Sequence, residues 1–160
     1  MSRDQHGPIS GERAAAGPAP ADQERAERER VRRLMEHPAA VFVFGANLAG
    51  RHGAGAALDA VRLYGAERGR GVGPMGRSYA IPTKGASLHT LPLPLIAWHV
   101  GTFCQYARHQ PSTPFVVTRI GCGLAGWTDA DIAPLFRDAP DNCHLPLGWR
   151  DMAASKENNR

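Results

Sequence analysis

The stretch that most constrains this chain is residues 41–64, VFVFGANLAGRHGAGAALDAVRLY. It passes from a strand, through a loop of small residues, into a helix. Val41, Phe42, Val43 and Phe44 form an unbroken β-branched and aromatic run, the pattern of a strand covered on both faces, and Gly45 is expected to end it. Further on, Ala57, Ala60, Val61 and Tyr64 fall at i, i+3, i+4 and i+7, one face of a helix. Between the two lie Asn47, Gly50, Arg51, His52, Gly53 and Gly55. Small residues let a ligand approach the backbone, and the unpaired N–H groups of a helix start attract phosphate. The expectation is a phosphate-bearing ligand at residues 47–57; the plainer alternative is a corner whose glycines only satisfy packing. Two better-known phosphate motifs are excluded. A G-x-G-x-x-G turn must follow its strand directly, whereas Gly53-x-Gly55 lies eight residues beyond Gly45 and is followed by Leu58. A G-x-x-x-x-G-K-[ST] loop needs a Gly-Lys-Ser/Thr step, and the chain has none.

The 160 residues suit one domain large enough to bury its own core. Three cysteines, Cys104, Cys122 and Cys143, are odd in number and lack C-x-x-C spacing. That argues against a disulfide framework or a zinc site and fits a reducing, cytoplasmic setting. No apolar run approaches the roughly 20 residues of a membrane span, and the start, MSRDQHGPISGE, lacks the apolar core of a secretion signal. No membrane partner is expected. Residues 1–38 carry seven Arg and seven acidic residues, while residues 39–150 carry ten Lys/Arg against six Asp/Glu. The positive excess therefore sits in the folded part, where it favours an anionic ligand. It is too diffuse for the concentrated basic face of a DNA-binding protein.

Residues 1–21, rich in Ala, Gly and Pro, are expected to be disordered. Residues 22–36 pair Glu24 with Arg28 and Glu29 with Arg33 at i, i+4, which predicts a helix. Only Val31, Leu34 and Met35 give it an apolar edge, so it reads as solvated and weakly docked, or else as a partner-binding arm. Five glycines in residues 65–76 predict a loop. Residues 78–81 read as a second strand ended by Pro82, placing Thr83, Lys84 and Gly85 at its carboxyl end, where open α/β sheets put their ligands. Ile96, Val100, Phe103 and Ala107 give a core-facing helical stripe. His89, His99 and His109 recur every ten residues, which does not place them on one helix face, so they are read as unrelated rather than as metal ligands. Residues 115–120 are the third strand, feeding a second Gly-rich loop, GCGLAGW, and a helix over 128–137 with Thr128 as N-cap. Cys122 reads as a small packed residue. Residues 144–147 suit a short edge strand and 151–160 a polar tail. Two strand–Gly-loop–helix units on one sheet edge would form the walls of a single cleft.

These segments resemble a macrodomain, nearest the branch of the terminal ADP-ribose–protein glycohydrolase and its ADP-ribose 1''-phosphate phosphatase-like relatives. The likeness rests on HGAGAA (52–57), YAIPTK (79–84) and RIGCGLAGW (119–127), within residues 40–138. It implies a three-layer α/β/α sandwich, or a trimmed version with its missing strands hidden in 65–77 and 142–149. It also implies ADP-ribose, free or carried on a macromolecule, between the two Gly-rich loops. Asn47, His52, Gly53, Ala54, Gly55, Ala56 and Thr83 would line one side. Ile120, Gly121, Cys122, Gly123 and Leu124 would wrap the diphosphate with backbone N–H groups. No cofactor or metal is implied. In that branch a lysine matching Lys84 attacks the ribose carbon that bears the protein ester, and an acid directly after the G-C-G-L loop completes release. Here that second position is Ala125. The resemblance thus leaves two functions open, a hydrolase of ADP-ribosyl esters or ADP-ribose phosphate acting through Lys84 or a cleft-bound water and a non-catalytic reader, with Ala125 favouring the reader. A domain that binds RNA ends through the same loops is the third alternative.

Overall fold

A computed structural model describes residues 17–155. The disorder expected over residues 1–21 and the end of the expected polar tail fall mostly outside that range. Helix α1 (Pro20–Leu34) leads into β1 (Val41–Asn47), α2 (Gly55–Leu63), the short β2 (Gly73–Met75) and β3 (Ser78–Lys84). Then come α3 (Leu93–Arg108), β4 (Phe115–Val117), α4 (Asp129–Ile132), β5 (Cys143–His144) and α5 (Trp149–Ser155). The strands form one mixed sheet in the order β2-β3-β1-β4-β5. Strands β3, β1, β4 and β5 run parallel, and β2 is an antiparallel edge. Parallel strands need long crossovers, which α2 supplies between β1 and β3, α3 between β3 and β4, and the α4 segment between β4 and β5.

The two-residue period of the strands sends alternate side chains to two separate cores. On one face Phe42, Phe44 and Ala46 of β1 join Ala80 and Val116 beneath α1 and α2, meeting Val31, Leu34, Ala60, Val61 and Tyr64. On the other, Val43, Tyr79, Ile81, Phe115 and Val117 pack under Ile96, Val100 and Phe103 of α3, with Ile132, Phe136 and Trp149. The chain is therefore mixed α/β, with helices on both faces of a five-stranded sheet.

Several boundaries move from their expected places, each for a local reason. Strand β1 runs through Gly45 to Asn47. A Cβ at 45 would make only ordinary contacts, 3.4 Å from Thr83 Oγ1 and 3.5 Å from Gly121 N, and the strand passes through the glycine without a break. Strand β3 continues past Pro82, which pairs with Ala46 just before a register shift between Ala46 and Asn47, the kind of irregularity that tolerates a missing N–H. Strand β4 stops at Val117, because the Ile120 N–H turns back onto Thr118 O at 2.7 Å. The Gly-rich stretch ends in β2. The last strand is Cys143–His144 rather than 144–147, and residues 151–155 belong to α5. The helix expected over 128–137 is a short α4 followed by a 3-10 turn at Ala133–Phe136 that contains Pro134. Thr128 caps α4 in a capping box with Asp131.

The largest departure is α1, which is docked rather than solvated. Glu27, Arg30, Val31 and Leu34 share one face, and the Glu27–Arg30 pair is only 15% and 12% exposed. Arg30 donates to Val117 O (2.7 Å) and His144 O (3.4 Å), while Glu27 accepts from Leu147 N (2.8 Å). The guanidinium thus satisfies carbonyls at the ends of β4 and β5, where the parallel ladder gives out. No helix among the described residues is long and apolar enough to cross a membrane.

Candidate functional site

A groove of about 570 Å³ lies between α1 and α2, over the sheet and beside the loop that leaves β4. Gly55 and Ala56 at the start of α2 line it, as do Thr118, Arg119, Cys122 and Gly123 of the β4–α4 loop. Phe42 and Tyr64 lie at the opposite end, and α1 contributes Glu24, Glu27, Arg28, Val31 and Arg32. Two Gly-rich loops that are far apart in sequence thus meet at adjacent parallel strands. Helix α2 has no side-chain cap, so its first N–H groups are left for solvent or a ligand. A Cβ added at Gly53 or Gly123 would meet nothing within 4 Å, and neither residue has positive φ. Neither packing nor backbone conformation accounts for those two glycines.

The other predicted residues stand around this groove rather than in its lining. Asn47 Oδ1 accepts from Arg51 N at 3.1 Å and so caps its own loop. His52 is 1% exposed, edge-on to Phe44, with ring centroids 5.3 Å apart. Its Nε2 lies 2.8 Å from Arg70 O; a carbonyl only accepts, so Nε2 carries a proton, and Nδ1 is buried with no hydrogen-bond partner among the described residues. Ala54 is the N-cap position of α2. Thr83 is buried between Gly45 and Gly121, and Ile120 is in the α3-side core. Leu124 is 81% exposed. Lys84 ends β3 opposite Asn47, with its carbonyl accepting from Leu48 N at 3.0 Å, and its side chain is not among those lining the groove. Ala125 is buried, its carbonyl accepting from Thr90 Oγ1 at 2.9 Å, so the loops after β3 and β4 are tied together.

Asp129 organises the β4–α4 loop. Its carboxylate accepts from Arg119 Nε (2.8 Å) and Nη2 (2.7 Å) and from Trp149 Nε1 (2.7 Å), with Cys122 Sγ 3.8 Å away. Burial raises its pKa, but the hydrogen bonds from Arg119 and Trp149 outweigh that and hold the carboxyl below its ordinary 3.8. Cys122 moves the opposite way. Burial, then the Asp129 carboxylate, push its thiol up to about 12. A thiol so shifted is not a nucleophile near neutral pH. Native Cys122 is therefore expected to alkylate with iodoacetamide at least ~10-fold more slowly at about pH 8 than a free cysteine of pKa ~8.5. A mass-spectrometric time course that shows equal rates would overturn this. Arg119, Thr118 and the α1 residues were not expected at the site. The recurrence of 24, 27, 28 and 31 at i, i+3, i+4 and i+7 was the available signal, hidden because most of those residues are charged. Among the described residues no group of three His, Cys, Asp or Glu is placed to hold a metal ion.

No protein-family model matches the chain, and no curated protein or solved structure matches it.

Proposed function

We propose that the chain is a macrodomain-like module that binds ADP-ribose, or an ADP-ribosyl group on a macromolecule, in the groove between α1 and α2. One observation carries this reading: Gly55–Ala56 and Cys122–Gly123 converge on a single groove at adjacent parallel strands. The uncapped start of α2 offers N–H groups to a diphosphate, and the open space at Gly123 lets it approach the backbone. A groove of about 570 Å³ is within the range of small-molecule sites. Two features set binding ahead of hydrolysis of ADP-ribosyl esters. Ala125 stands where the related branch has its assisting acid, and Lys84 is absent from the groove lining.

Calorimetric titration of the full chain with ADP-ribose, with AMP and ribose 5-phosphate as controls, tests the reading. Micromolar binding that prefers the whole ligand is the expected result, and heat no different from dilution would sink it. Gly123→Val is expected to weaken ADP-ribose binding about 10-fold or more, about 1.4 kcal/mol, by filling the space the diphosphate would use. Because nothing packs there, its stability should stay within about 0.5 kcal/mol of wild type.

A further inference from the structure

The outer wall of the groove is α1, and it is fixed in place. The Glu27–Arg30 pair holds it to the carbonyls of Val117 and His144 and to the Leu147 N–H, while Val31 and Leu34 pack on the sheet-side core. The two ends of the groove differ in chemistry. At the start of α2 the lining is Gly55 and Ala56 with Thr118 and Arg119, the Thr118 hydroxyl donating to Val43 O at 2.8 Å and the Arg119 guanidinium to Asp129. At the end of α2 it is Val31, Leu63, Tyr64 and Phe42, with the last two rings 4.7 Å apart. Gly55 and Tyr64 are nine residues apart on one helix, roughly 14 Å at 1.5 Å per residue, a span suited to an extended nucleoside diphosphate.

Asp59 on α2 and Arg28 and Arg32 on α1 also line the groove, so charges of both signs flank these apolar side chains. A flat, uncharged ring buries its faces against the aromatic and aliphatic side chains.

We infer that α1 is part of the ligand site, and that the base of the bound nucleotide lies between α1 and α2 at the Val31–Leu63–Tyr64 end. This rests on the groove being the ADP-ribosyl site, and it adds the end that takes the base and the helix that reads it. The N-terminal helix is then a specificity element of the domain rather than an arm beside it.

The test uses the full chain with ADP-ribose as probe. Nuclear Overhauser contacts are expected from the base ring protons to the methyl groups of Val31 and Leu63. Leu63→Glu is expected to weaken binding about 10-fold or more, and since Leu63 is 66% exposed the variant should fold as wild type does. Val31→Asp should weaken it further, with circular dichroism checking that it folds. Binding by wild type with base contacts to other methyl groups, or with unchanged affinity in Leu63→Glu, overturns this inference and leaves the groove reading standing. No binding by wild type overturns both.

Discussion

Replacing Asp129 with Ala is expected to cost about 2–3 kcal/mol and to lower the thermal midpoint by about 5–10 °C. The larger part comes from the Trp149 indole N–H. Trp149 is fully buried, and its Nε1 donates to Asp129 Oδ1 at 2.7 Å. Stranding a buried donor costs about 1–3 kcal/mol, more than the hydrogen bond itself contributes. The Arg119 fork adds less, because the pair is 36% and 30% exposed and water competes for it; about 0.5–1 kcal/mol is its share. Arg119→Ala should therefore be much milder than Asp129→Ala. Asp129→Asn, which keeps an oxygen for the indole, should fall between them. In a Trp149→Phe background the Asp129→Ala cost should shrink, since the stranded donor is gone. An Asp129→Ala protein that melts within about 1 °C of wild type would show that the loop is not organised by this carboxylate. The same group also makes stability depend on pH. Its folded pKa is below the ordinary 3.8, so its contribution is complete above that value and is lost as pH falls through the lower folded one. The melting points of wild type and Asp129→Asn should converge under those acidic conditions, because a protonated carboxyl still accepts from the indole, while Asp129→Ala stays below both.

Asp129 also illustrates what could be read in the sequence. Its place in the first turn of a Thr128-capped helix was legible, because capping is local chemistry. Its partners were not, since Trp149 is 20 residues away and reaches it only through the fold. The apolar strands expected at 41–44, 78–81 and 115–120 were legible for the same local reason, though the last ends at Val117. So were the stripe of α3 and the meeting of two Gly-rich loops. Of the shortest strands, the one in 65–77 was not placed and the one expected at 144–147 lies at Cys143–His144. Two- and three-residue strands have too few positions to show a period, and pairing with β3 and β4 decides them. Helix α1 misled because hydrophobic counting treats charge as solvated. Glu27 and Arg30 neutralise each other on the docked face, so a face with half its positions charged is largely buried. At the site, Gly55, Ala56, Cys122 and Gly123 line one groove, whose other wall, α1, was not expected there. His52 could not be placed from composition: a positive φ of 48° turns it under the loop, where Arg70 O takes its Nε2 proton.

Gly71→Ala is expected to destabilise the protein by about 2–3 kcal/mol, the upper part of the range for overpacking, because the obstacle is backbone. A Cβ on residue 71 would run into the carbonyl oxygen of Asn47 and lie 2.9 Å from that of Leu48. Neither carbonyl can swing aside as a side-chain tip would. Leu48 and Asn47 close β1, and the Asn47 carbonyl also accepts from Gly50 N at 2.9 Å. The strain must therefore part the two loops that residue 71 holds together. Four contacts cross the same seam: Gly69 N to Gly50 O (2.8 Å), His52 Nε2 to Arg70 O (2.8 Å), and Arg68 Nη1 to Arg51 O (3.0 Å) and His52 O (3.3 Å). The glycine-rich stretch before β2 is thus the buttress of the β1–α2 loop. Gly53→Ala, in the same loop but with open space around it, should stay within about 0.5 kcal/mol of wild type. Urea unfolding midpoints of the two variants separate steric need from a general preference for glycine. If Gly71→Ala proves as harmless as Gly53→Ala, the loops do not make this contact. If it unfolds early as expected, the start of α2 shifts with its buttress, and ADP-ribose affinity should fall along with stability.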